Sequence, residues 1–310
     1  MDCAWRGAAL WVGFVLLGAG VGWGQSVNPL SAAWTAVGPV GVASQSYGTV
    51  TGRVSSVAVD AADTTGNTVY LGTTGGGVWK SVNAAGPVGS VVFRPLTDTL
   101  PVFSANAGSA AVASLTIGAV SVGNGVVLAG TGDGNGALDS YYGEGILRSA
   151  DGGATWTLIQ QAHDGVAGNH TFVGLATTGF AWSTGTPGLV VAAMGQSAEG
   201  VIVNAGDATY SVMGLYYSTD AGVSWQMATI KDGSQVVQQP LPGGGPGNAA
   251  TAVVWNAVRQ RFYAAVRWHG YYESVDGATW TRMAVQPGTG MGLGVCPTNP
   301  GSVGRGGCPM

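Results

Sequence analysis

The chain has 310 residues, a formal net charge of −4, 46% hydrophobic residues and only 8% charged residues. That balance excludes an intrinsically disordered chain, which is poor in apolar residues and rich in charge. Its 11 Lys and Arg are scattered singly, so no basic patch is present to neutralise phosphates and nucleic acid is excluded as an expected partner.

The N-terminus reads as a segment outside the fold. Arg6 precedes an apolar run from Ala8 to Val21, and small residues follow around Gly22-Trp23-Gly24. This is the order of a secretory signal peptide, so residues 1–24 are expected to be cleaved and the protein to be secreted, periplasmic or on the cell surface. The run is shorter than the roughly 20 apolar residues of a bilayer span. No membrane span is expected after cleavage; a retained anchor is the other reading. Cys3 precedes the run, unlike a lipoprotein cysteine.

From residue 25 to 290, abundant Gly with Val, Thr, Tyr and Trp reads as short strands joined by tight turns. Four periods of four strands are expected. The first takes Arg53 to Val59, Thr68 to Gly72, Gly77 to Ser81 and Val91 to Leu96. The second takes Leu115 to Val122, Val126 to Gly130, Gly145 to Ser149 and Trp156 to Ile159. The third takes Phe172 to Thr178, Leu189 to Ala193, Gly214 to Ser218 and Trp225 to Ile230. The fourth takes Ala252 to Asn256, Arg261 to Val266, Gly270 to Ser274 and Trp280 to Val285. The predicted fold class is all-β, a β-propeller of about four blades spanning 53–96, 115–159, 172–230 and 252–285, since radial stacking protects the blade edges.

One segment recurs within these periods. Ser149-Ala150-Asp151-Gly152-Gly153-Ala154-Thr155-Trp156 matches Ser218-Thr219-Asp220-Ala221-Gly222-Val223-Ser224-Trp225. A copy one residue shorter runs from Ser274 through Asp276 to Trp280. Upstream, Ser81-Val82-Asn83 puts Asn where Asp stands elsewhere, and the four serines are 68, 69 and 56 residues apart. In such a turn the Asp side chain accepts backbone N–H groups, Gly supplies positive φ, and Trp buries its ring. These acids are therefore read as turn staples.

These residues resemble the BNR/Asp-box family, Ser-x-Asp-x-Gly-x-Thr-Trp, and the resemblance runs from about residue 34 to 285. The wider pattern, with Gly52-Arg53-Val54, Val69-Tyr70-Leu71-Gly72-Thr73 and Asp139-Ser140-Tyr141-Tyr142-Gly143, is similar to exported bacterial sortilin-like and glycosyl-hydrolase-like propellers. The resemblance implies that each box joins the third and fourth strands, on the face opposite the ligand site. Trp34-Thr35-Ala36-Val37 resembles the outer strands after the boxes, which suggests an N-terminal portion of a longer propeller or a truncated product. The 291–310 tail carries Cys296 and Cys308, which read as a disulfide closing a small loop or as two free thiols.

Loops between second and third strands should form the opposite face, and long loops on rigid scaffolds commonly carry function. The ligand-binding candidates are Arg53, Tyr141, Tyr142, Tyr210, Trp268 and His269. The expected function is non-catalytic binding or scaffolding, with a glycan or protein as ligand. The alternative is a glycoside hydrolase in which Asp139 and Glu144 are the catalytic pair. No cofactor or metal is expected: the three histidines stand apart, and Asp133-Gly134-Asn135-Gly136 with Asp139 lacks a full calcium loop. Asn169-His170-Thr171 fits a glycosylation acceptor.

Overall fold

A computed structural model describes residues 42–44, 48–50, 53–97, 115–134, 141–164, 169–196, 212–240, 248–267, 269–284 and 286. The expected signal peptide, the strand at Trp34 and the Cys296–Cys308 tail lie outside them. A short hairpin, β1 (Val42–Ser44) and β2 (Gly48–Val50), comes first. Blade I is β3 (Val54–Val59), β4 (Val69–Thr73), β5 (Gly77–Ser81) and β6 (Arg94–Pro95). Blade II is β7 (Ile117–Gly123), β8 (Val126–Thr131), β9 (Ile146–Ser149) and β10 (Thr157–Ile159). A hairpin of β11 (Gln161–His163) and β12 (Asn169–Thr171) leads to blade III: β13 (Leu175–Trp182), β14 (Val190–Gln196), β15 (Gly214–Ser218) and β16 (Gln226–Met227). A second hairpin, β17 (Thr229–Asp232) and β18 (Gln235–Gln238), precedes blade IV: β19 (Ala250–Asn256), β20 (Arg261–Val266), β21 (Gly270–Ser274) and β22 (Thr279–Arg282).

Each blade is an antiparallel meander in strand order, as a β-propeller requires. The innermost strands pack in sequence, β3 on β7, β7 on β13 and β13 on β19. A four-stranded sheet cannot bury either face alone, so the core lies in the seams between blades. Tyr70 and Val78 of blade I meet Val120, Ala129 and Leu147 of blade II. Leu128 and Ile146 meet Ala192, Tyr216 and Trp225 of blade III, while Val191 and Leu215 meet Phe262, Tyr272 and Trp280 of blade IV.

The repeated turns lock the third and fourth strands together. Ser149 Oγ donates to Asp151 Oδ1 at 2.7 Å and accepts the Gly153 amide at 2.8 Å; Asp151 accepts the Thr155 amide and hydroxyl at 2.9 and 2.6 Å. Ser218 and Asp220 repeat this around Gly222 and Ser224, and the shortened copy does so with Gly277 and Thr279. The indoles of Trp156, Trp225 and Trp280 each donate to the carbonyl of the glycine three residues before, at 3.0, 3.2 and 2.7 Å. In blade I Asn83 takes the aspartate's place, accepting from Ser81 and from the Val92 amide, both at 3.0 Å.

Three features depart from the sequence pattern. The expected single strand from Trp225 to Ile230 is divided: β16 stays in blade III, and β17 crosses to run parallel to β22, pairing Ile230 with Trp280. The crossing turns on Ala228, whose amide still donates to Leu215 O, whereas the next amide, Thr229, donates to Ala278 O of blade IV. β11 does the same between blades II and III, its His163 amide donating to Trp225 O at 2.7 Å. Blade III also begins later than expected, at Leu175, because Phe172 packs edge-on to Tyr216 instead of joining the inner strand.

The outward faces of the first and last blades are exposed. Val57 pairs through Leu71 to Trp79, just as Val120 pairs through Ala129 to Leu147 and Val253 through Ala264 to Tyr272. Val120 and Val253 are 7% and 6% exposed, but Val57 is 60% exposed. On the other side, Val254 is 59% exposed where its counterpart Ala181 in blade III is 5%.

Two stability tests follow from these arrangements. Val120→Asp should cost at least about 3 kcal/mol by burying an unpaired charge in a seam, while Val57→Asp should change stability by less than about 1 kcal/mol, as read from urea unfolding. Acid should loosen the turns. Hydrogen bonds from Thr155 hold Asp151 well below the usual carboxylate range; burial raises Asp220, but bonds from Ser224 and Ser218 outweigh it and leave it lowered. A depressed folded pKa contributes stability that is present above the unfolded value near 3.9 and lost below it. Asp220→Asn should therefore be less stable at pH 7 and show a shallower decline below about pH 4 in the same titration.

Candidate functional site

The serine–aspartate turns of blades II to IV, and the serine–asparagine turn of blade I, occupy one end of the blades, so the loops between second and third strands and the blade-to-blade crossings occupy the other. At the seam between blades I and II, the Arg53 guanidinium pairs with Asp133, and its Nε donates to Thr74 Oγ1 at 3.2 Å. The Arg53 side chain remains 58% exposed, while that of Asp133 is 15% exposed. The Asp133 amide donates to Tyr141 O at 2.8 Å, tying the ion pair to the next segment.

Residues 141–145 run along the seam between blades II and III. The Gly143 amide donates to Leu175 O at 2.7 Å and its carbonyl accepts the Gly174 amide at 2.8 Å, so backbone rather than side chain fills the space. A Cβ at Gly143 would overlap Leu175 O and Thr131 O. This close approach turns Tyr141 outward, 47% exposed, and Tyr142 inward, 8% exposed. Glu144 is also buried, with its amide donating to Thr131 Oγ1 at 2.7 Å and its carboxyl accepting Gln160 Nε2 at 3.2 Å. Burial pushes the Glu144 carboxyl above its ordinary range, against the opposing effect of Gln160.

The two crossings add acids that the sequence patterns did not single out. Asp164, at the end of β11, accepts the Met227 amide at 2.9 Å and lies 2.6 Å from His170 Nε2, both side chains being buried. Asp232, at the end of β17, holds Arg282 Nη1 at 3.2 Å. A signal for these positions exists: Asp164-Gly165 and Asp232-Gly233 follow Trp156 and Trp225 by eight and seven residues. His170, the middle residue of the Asn169-His170-Thr171 glycosylation triplet, has its side chain inside the seam, edge-on to Tyr216.

His269 lies beside the Asp232–Arg282 pair and is 5% exposed. Burial pushes its imidazole below the usual histidine range, with Asp232 pulling it up and Arg282 pushing it down. Of the residues singled out by sequence, then, Arg53 and Tyr141 offer exposed groups, and Tyr142, Glu144 and His269 are enclosed. Asp139, Tyr210, Trp268 and Asn135 lie outside the described residues.

The four described acids on this face all have partners: Asp133 with Arg53, Glu144 with Gln160, Asp164 with His170 and Asp232 with Arg282. Among the described residues, no group of three or more His, Cys, Asp or Glu is placed to hold a metal ion, and no helix is long and apolar enough to cross a membrane.

No protein-family profile matches the chain, and no curated protein matches it in sequence. Similar solved structures include an ancestral GH74 enzyme, 19% identical with a TM-score of 0.45 over 75% of this chain and 24% of that one. YCF48 from Cyanidioschyzon merolae is 13% identical, with a TM-score of 0.38 over 75% of this chain and 58% of its own. PorZ, a bacterial surface component of the type-IX secretion system of Porphyromonas gingivalis, is 12% identical, with a TM-score of 0.30 over 74% and 33%. The chain spans less than two thirds of the length of each.

Glu144 supplies a test of the site's electrostatics. Its folded pKa is raised, so its stabilising contribution is complete below the unfolded value and declines as pH rises through the folded one. Glu144→Gln, which keeps the shape without the ionisation, should melt at a higher temperature than the parent at pH 7 and at the same temperature at pH 4, by differential scanning calorimetry.

Proposed function

We propose that this chain is an exported propeller of the Asp-box type that binds a glycan or a protein on the face opposite its serine–aspartate turns, without transforming it. The observation that carries this reading is the engagement of all four described acids on that face by Arg, Gln or His side chains. Hydrolysis of a glycosidic bond needs two carboxyl groups free to exchange protons with substrate and water. Binding needs only exposed contact groups, and Arg53 and Tyr141 supply a guanidinium fork and an aromatic surface.

The exposed Val57 and Val254 support a second element of the proposal, that the four blades form an arc of a larger propeller ring. Such positions are covered wherever one blade meets another.

One observation favours a hydrolase. Glu144 is buried and its pKa is raised, as suits a carboxylic acid that protonates a leaving oxygen, with Asp139 as the second carboxylate. Retention of polysaccharides on the immobilised protein, assayed together with release of reducing ends, separates the two readings. Retention without release, weakened about tenfold or more by Tyr141→Ala, is expected from loss of a stacking contact. Release of reducing ends by the parent that disappears in Glu144→Gln would establish the hydrolase instead.

A further inference from the structure

Blades III and IV share one frame and fill it to different degrees. Tyr216 and Tyr272 occupy the same position, two residues before Ser218 and Ser274. Asp164 and Asp232 end the two crossing strands at equivalent places beside them. In blade III most of these groups find partners: the Tyr216 hydroxyl donates to Val212 O at 2.5 Å, and Asp164 accepts the Met227 amide and lies 2.6 Å from His170 Nε2, which leaves the other ring nitrogen, His170 Nδ1, without one.

In blade IV they do not. Arg282 stands where Met227 does, two residues after the tryptophan, and directly opposite Tyr272 across the β21–β22 pair. Asp232 engages Arg282 only through Nη1, at 3.2 Å. Five buried atoms are left without a hydrogen-bonding partner: Arg282 Nε and Nη2, the Tyr272 hydroxyl, and both ring nitrogens of His269. Tyr272, Arg282 and His269 are 0%, 3% and 5% exposed. Buried donors with no acceptor are costly, so a cluster of this kind calls for an occupant.

We propose that this cluster is a binding site for a small monocarboxylate, seated side-on against Arg282 between His269 and Tyr272. The free edge of the guanidinium presents two parallel N–H groups, the geometry that matches both oxygens of a carboxylate. The Tyr272 hydroxyl and one imidazole N–H add donors, whereas the acceptors nearby are already engaged: Asp232 by Arg282, and Gln286 Oε1 by the Tyr271 amide at 2.7 Å. Asp232 already balances the charge of Arg282, so the entering anion adds one negative charge. Among Asp232, Arg282 and Tyr272, the groups that face it, His269 is the one able to balance that charge by taking a proton from solvent. The site requires neither the glycan nor the protein ligand proposed above.

Isothermal titration of the full chain with sodium acetate, against sodium chloride at matched ionic strength, tests this at pH 6 and pH 8 in buffers of different ionisation enthalpy. One-to-one acetate binding, tighter at pH 6 and with uptake of about one proton, is expected. Tyr272→Phe should weaken it about tenfold without lowering the melting temperature of the acetate-free protein, because that hydroxyl has no partner to lose. Arg282→Lys, which keeps the charge beside Asp232 but not the fork, should abolish it. If acetate behaves as chloride does, the occupant is buried water and the proposal fails. Equal affinity in the parent and Tyr272→Phe overturns it as well, and that comparison stands even if Arg282→Lys does not fold.

Discussion

In blades II to IV the hydroxyl of the serine that ends the third strand holds the blade together. It donates to the aspartate two residues on and accepts the amide of the following glycine, so one oxygen sets both the depth and the direction of the turn. The glycine then offers its carbonyl to the indole three residues later, which places the tryptophan ring against the preceding blade. Blade IV shows which spacing matters. It lacks one residue between aspartate and glycine, yet the glycine-to-tryptophan interval is unchanged and Trp280 is fully buried. The turn can lose a residue where it only spans space, and not where it aims the indole.

Seams, rather than blades, hold the apolar core. Trp225 and Trp280 each contribute burial that truncation to alanine would forfeit at about 3–5 kcal/mol. The crossing strands reinforce the same seams by hydrogen bonding. β11 and β17 each leave one blade and lie beside the outer strand of the next, so adjacent blades share backbone bonds as well as side-chain contact. Gln238 extends the device: its amide bonds to Leu215 N, Leu215 O and Ala228 O, and Gln286 does the corresponding work at Tyr271 and Met283 in blade IV. Glycine opens the third strand at both places, Gly214 at φ 142° and Gly270 at φ 108°, because a Cβ there would overlap the glutamine oxygen.

Chemistry on the opposite face is governed by how well each seam satisfies the polar groups it encloses. Between blades I and II the ion pair stays partly in water; between II and III the Asp164–His170 pair is enclosed and its tyrosine is satisfied. Between III and IV the same frame encloses a guanidinium with one free edge. A difference of a few side chains on one scaffold thus separates a closed structural seam from a receptive one.

Much of the fold was legible from residue order alone. Short apolar strands, a recurring Ser-x-Asp turn and a trailing Trp are local features, and local sterics and hydrogen bonding suffice to read them as four-stranded blades. The site was legible only in outline. Arg53 and Tyr141 lie on the expected face, but whether a side chain such as Tyr142 or His269 points outward depends on backbone approaching from another blade, as Leu175 O approaches Gly143. Asp164, His170, Asp232 and Arg282 carry no local motif beyond a paired Asp-Gly, and what each meets was decided by strands that cross between sheets. Sequence by itself determined the repeated turns and the strands that flank them, because those rest on contacts within a few residues. Which polar groups ended up satisfied was settled by tertiary structure alone, because each partner comes from a different segment of the chain.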